Sequence, residues 1–303
     1  MKNNIIIVIL FSIFILSSFM LGCETSPTDT FIFPTTFGSW DALADVPEAV
    51  NAGGSLIWAG GNYLYAFVGG ITENFYRYDI SQNSWEALAL TPLSVDDGGC
   101  LVYVNGYIYA QRGGNTLDFW KYDISANAWE TMPKDFLTNT YKGTLSVVNG
   151  DIYIMAENTP TFYKYNFDAN DFETLAAAPY NPYHGCSIVW NGGDTVYMRN
   201  GNGNVYFWKY SISGDSHTDL ANYEGAVRRT GNALVYPTGN HIYSLRGNST
   251  VIFEAYNIST NSWEARADTP GGIRDGGSLT WAGGGYLYAM RGDGTTDFWR
   301  FIP

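Results

Sequence analysis

Four arginines, Arg112, Arg199, Arg246 and Arg291, recur at matching places along the chain, each closing a short run rich in tyrosine and aliphatic residues. Only 16 of 303 residues are basic, so a recurrence of this kind is not scatter. A guanidinium fork holds carboxylate or sulfate groups bidentately, which points to an acidic sugar or an acidic peptide as ligand. A second series of polar residues stands ahead of other strand-like runs: Asp96-Asp97, Tyr141-Lys142, Tyr183-His184, Arg228-Arg229 and Arg274-Asp275. The expected ligand-binding set is therefore Arg112, Arg199, Arg246, Arg291, Asp97, His184, Arg229 and Asp275. A plainer account of the same residues also stands: Arg112 pairs with Asp97 and Arg291 with Asp275, holding loops together without any ligand.

No catalytic set assembles from the sequence. The histidines are His184, His217 and His241, and no Walker loop, paired zinc-ligand motif or nucleophile elbow is present. The run Gly292-Asp293-Gly294-Thr295-Thr296-Asp297 lacks the alternating oxygen ligands of a calcium loop and reads as a turn. No cofactor and no metal are expected. The formal charge of −13, spread along the chain, disfavours nucleic acid as a partner.

The elements that must position these residues follow from a repeat near 44 residues. Its marker is an aromatic pair seven positions apart: Tyr78 and Trp85, Tyr122 and Trp129, Tyr165 and Phe172, Tyr256 and Trp263, with His217 replacing the second aromatic after Tyr210. Ahead of each tyrosine lie two strand-like segments joined by a tight turn, such as Leu101-Val102-Tyr103-Val104, then Asn105-Gly106, then Tyr107-Ile108-Tyr109-Ala110. Asn-Gly supplies the positive φ angles a two-residue hairpin demands. A third strand carries the Tyr and a fourth the Trp. Within such a four-stranded unit, the loops between strands two and three share a face with the connections to the next unit, so both polar series gather at one mouth of a ring.

The paired Tyr and Trp, with the doublets Gly69-Gly70 and Gly113-Gly114, resemble the Kelch repeat over about residues 39–303. That resemblance implies an all-β fold, a six-bladed β-propeller of four-stranded antiparallel blades. Trp40 has no partner tyrosine ahead of it, while the last unit stops at Phe301-Ile302-Pro303 without a Trp strand. The segment around Trp40 should therefore join the three C-terminal strands and close the ring, since a radial array protects its edges only when every blade is complete. The repeated aromatics are expected to wedge between blades rather than to stack on sugars. Cys100 and Cys186 fall on inner strands two blades apart and should be free thiols. Among Kelch-like enzymes, the copper oxidases need a His, Tyr and Cys set that is missing here. A sialic-acid mutarotase needs only an acid–base pair and a carboxylate anchor, which Arg, Asp and His184 could supply.

Residues 1–22 read as an export signal: Lys2 gives a positive start, Ile5 to Leu16 is an apolar run broken by Ser12, and Leu21-Gly22-Cys23 resembles a bacterial lipobox. The resemblance implies lipidation at Cys23, a tether over 23–37 and a propeller over 38–303. The expectation is an exported, membrane-anchored lipoprotein of the outer membrane or cell surface, monomeric, touching the membrane through its lipid only. Its expected function is non-catalytic binding of a carbohydrate or protein at the arginine-rich face. A sugar-acid isomerase at the same face, or a structural spacer, are the alternatives.

Overall fold

The structure, a computed structural model, describes residues 38–132, 144–167, 169, 171–225 and 231–303. The expected signal segment, Cys23 and the tether lie outside the described residues.

Six four-stranded antiparallel sheets follow one another along the chain. Blades 1 to 6 are numbered in chain order, and strands one to four within a blade run outward from the axis. The six first strands touch one another in a ring. Blade 1 shows the pattern: Ser55–Trp58, Tyr63–Phe67, Phe75–Asp79 and Ser84–Ala87. Second strands are almost wholly buried, and those of blades 1 to 5 end in four consecutive buried residues because they are covered on both faces by neighbouring blades. Blade 6 is completed from the other end of the chain. Ser39–Ala42 pairs with Phe298–Ile302, in the register Trp40 to Phe301, and Arg300 donates to Asp41 at 2.8 Å. The expected closure is present, with Trp40 as the fourth-strand aromatic of blade 6.

The repeated Tyr and Trp tie neighbouring blades together. Trp85, Trp129, Trp263 and Trp40 each donate their indole N–H to an alanine carbonyl just beyond the outer strand of the preceding blade, at Ala44, Ala89, Ala221 and Ala267, over 2.9–3.1 Å. His217 reaches Ala176 in the same way at 2.9 Å, so the altered repeat keeps the bond with a smaller ring. The hydroxyls of Tyr78, Tyr122, Tyr210 and Tyr256 each donate to a residue five positions on, Asn83, Asn127, Asp215 and Asn261, and that side chain also accepts a backbone N–H from the preceding blade. These four residues sit in the left-handed region at φ of 39–52°, which asparagine and aspartate tolerate.

A second set of ties runs close to the axis. Ser278, Ser55 and Ser187, each opening a first strand, accept the backbone N–H of Leu56, Leu101 and Leu234 in the next blade at 3.0–3.2 Å. Cys100 holds the same position in blade 2, with the Leu145 backbone of blade 3 as its partner. Cys100 and Cys186 are both free thiols, and burial pushes both above the ordinary cysteine range.

Candidate functional site

The first strands enclose an axial cavity of about 320 Å3, lined by small residues such as Gly54, Ser55, Cys100, Ser187 and Ser278, with Asp97, His184 and Asp275 among its polar walls. These three occupy one repeat position, each directly ahead of a glycine at positive φ: Gly98 at 87°, Gly185 at 81° and Gly276 at 82°. A side chain is strained at φ values of this kind. At Gly276 a Cβ would also clash with the Asn51 carbonyl of blade 1.

His184 of blade 4 and Asp97 of blade 2 meet across the mouth. The imidazole Nε2 stands 2.7 Å and 2.8 Å from the two carboxylate oxygens, so the ring donates and the carboxylate accepts. Both side chains remain partly open, 23% and 30% exposed, so a ligand can reach the pair. Asp275, on the same wall, has no bonded side-chain partner among the described residues. Arg229, expected in this group, lies outside the described residues, as do Tyr141, Lys142 and Arg228.

The arginines behave differently from one another. Arg112 donates from Nη1 to Asp118 at 2.8 Å and from Nε to the Ser94 carbonyl at 2.9 Å. Arg291 repeats the arrangement with Asp297 at 2.7 Å and the Gly272 carbonyl at 3.1 Å. Their carboxylate partners are thus not Asp97 and Asp275, the pairs expected from the sequence. The reason lies in the loop: backbone bonds from Arg112 to Asp118 and from Arg291 to Asp297 draw the end of strand two onto the start of strand three, placing that aspartate beside the guanidinium.

Arg199 is not at the mouth, contrary to expectation, for it is fully buried. It pairs with Phe207 as the last residue of its strand, whereas Arg112, Arg246 and Arg291 follow theirs by one residue. In a strand a slip of one residue turns the side chain to the opposite face, here into the interface with blade 5. Asn200 fills the loop position instead, donating to the Asn181 carbonyl at 3.1 Å and accepting the Tyr183 N–H at 3.0 Å. Arg246 follows its strand as expected and donates to Glu254 at 2.6 Å.

Glu254 and Tyr223, which complete this group, went unread in the sequence. Glu254 stands where other third strands carry Tyr76, Trp120, Trp208 or Trp299, and an acid at an aromatic position was the available signal. Tyr223 lies in a connection with no repeat pattern to mark it; burial raises its pKa, against the lowering pull of Arg199.

No family model matches the chain, and no curated protein matches it. A solved structure described as "Structure of YjhT" is similar to it with a TM-score of 0.68 and 14% sequence identity, over 84% of this chain and 95% of that one. At that identity the likeness concerns the fold alone, and it agrees with the sheet order: the described chain is a six-bladed β-propeller.

Proposed function

We propose that the protein is a non-catalytic binding module, built from Kelch-like repeats, that takes a carbohydrate at the channel mouth around Asp97, His184 and Asp275. The observation that carries this reading is the contrast between the two polar series. Arg112 and Arg291 spend their charge on carboxylates of their own blades, while the mouth offers the Asp275 carboxylate and a partly open Asp97–His184 pair. Carboxylates and an imidazole on a rigid ring accept and donate hydrogen bonds to vicinal hydroxyls, which favours a neutral polyhydroxylated ligand over the acidic one suggested by the arginines. The sequence of residues 1–23 adds the expectation that this module is exported and lipid-anchored through Cys23.

Binding of the full chain to an array of neutral glycans tests it. Asp275→Asn and Asp97→Asn should each weaken binding about tenfold or more, the size expected when a charge-assisted hydrogen bond is lost. Unaltered binding in both variants removes the mouth from consideration.

One observation favours a second reading. The 2.7 Å contact between His184 and Asp97 on a cavity wall is also the geometry of an acid–base pair, as a sugar-acid isomerase would need. Faster anomer exchange of a reducing sugar acid with the wild-type chain, abolished by His184→Ala, would select it.

A further inference from the structure

Glu254 and Arg199 replace an apolar pair in the interface between blades 4 and 5. The corresponding positions hold Met155 and Trp208 between blades 3 and 4, and Leu245 and Trp299 between blades 5 and 6. Glu254 Oε2 accepts from Arg246 at 2.6 Å, but its Oε1 lies 3.9 Å from Arg199 Nη2, beyond a hydrogen bond. Arg199 donates from Nη1 to the Ser244 hydroxyl and, at 3.1 Å, to the Leu245 carbonyl, and its guanidinium lies 4.0 Å over the Tyr223 ring. Arg199 Nε and Nη2, Arg246 Nε and Glu254 Oε1 then remain buried with no hydrogen-bond partner among the described residues.

The charges do not balance either. Among the described residues two guanidiniums face one carboxylate, with Arg199 at 0% exposure and the Arg246 side chain at 14%. A buried charge without a partner is strongly disfavoured, and so is each unbonded donor. Arg112 and Arg291 each have a carboxylate to themselves, whereas Arg246 shares Glu254 with Arg199. Among the described residues Gly225 lies beside Arg246: a Cβ there would stand 3.2 Å from Nη1.

We infer that Arg246 and Arg199 form an anion-binding subsite in the blade 4/5 interface, entered past Arg246, that takes a carboxylate or an inorganic oxyanion. Such a group supplies the missing negative charge and the acceptors for the orphaned N–H groups. The subsite does not rest on the carbohydrate reading, whose test uses neutral glycans, so either can fail alone.

Isothermal titration of the full chain with sodium acetate, sodium sulfate and sodium glucuronate, in a zwitterionic buffer, tests the inference. Saturable binding at one site is expected, weakened about tenfold or more in Arg246→Met and held within about twofold in Lys121→Met, a rim cation. Glu254→Gln, which removes the internal competitor, should tighten binding by a similar factor. Should Arg246→Met fail to fold, Arg246→Lys keeps the charge but not the fork and should still bind more weakly. Glucuronate binding well above acetate marks the anion as part of a larger ligand; equal binding marks a free ion. No saturable binding of any of the three, or binding indifferent to every substitution at Arg246, overturns the inference.

Discussion

Between blades 3 and 4, Met155 and Trp208 share one apolar cluster, against which Tyr180 and Tyr206 stack with their centroids 3.9 Å apart. Between blades 4 and 5 the matching strand positions hold Arg199 and Glu254, joined by Arg246 and Tyr223. The backbone geometry of the two sheets is the same, residue for residue, in strand pairing. The repeat therefore tolerates an ionic interface in place of an apolar one when the partners change together. The two differ in how they fail: apolar contact is lost in proportion to the area removed, whereas an ionic group is lost as a unit.

The largest effect should come from Glu254→Ala, which strands two buried guanidiniums and should cost about 3–5 kcal/mol by urea unfolding. A midpoint close to wild type would break the comparison. Trp208→Ala, at the same repeat position in blade 4, should also cost about 3–5 kcal/mol, here through a cavity, and should show little dependence on added acetate. Transplanting the apolar interface, as Arg199→Met with Arg246→Asn and Glu254→Trp, should restore stability to wild type or exceed it by about 1–4 kcal/mol. A triple variant no better than Glu254→Ala would show that the two interfaces are not interchangeable.

The smallest effect concerns the rim bonds. Burial holds the pKa of His217 below its ordinary value, so the unfolded chain takes up a proton near pH 6.5 that the folded chain resists. The stability it contributes is present above that pH and is lost as pH falls toward the depressed folded value. Trp263 makes the equivalent bond at the next interface without a titrating group. His217→Trp should therefore lessen the stability lost between pH 7.5 and 5.5; an unchanged loss would assign the acid sensitivity elsewhere.

Much of the fold was legible because the same physical demand recurs: Tyr78 and Trp85, and their counterparts, mark every third and fourth strand, and the unmatched Trp40 pointed to its own partner strand. The mouth was legible in part, since residues ahead of first strands share a repeat position. What stayed hidden depended on single-residue register and on partners distant in sequence. Arg199 looked like Arg112 until the strand ended one residue later than its counterpart, and Asp118 and Asp297 took the arginines that Asp97 and Asp275 were expected to take. Asn83 and its equivalents, five residues past each tyrosine, were visible in the sequence but carry a bond that only the neighbouring blade explains.

Arg300 and Asp41 meet in the seam although 259 residues separate them. Closure is consequently among the most non-local events in the folding of this chain, and loop entropy makes such contacts form late. Until they form, Phe298–Ile302 presents a bare row of N–H and C=O groups that any extended segment can pair with. The best-matched competitor is Ser39–Ala42 of another copy. Strand-exchanged dimers are thus the expected by-product of refolding at high concentration, and the seam sets the conditions under which this ring closes on itself.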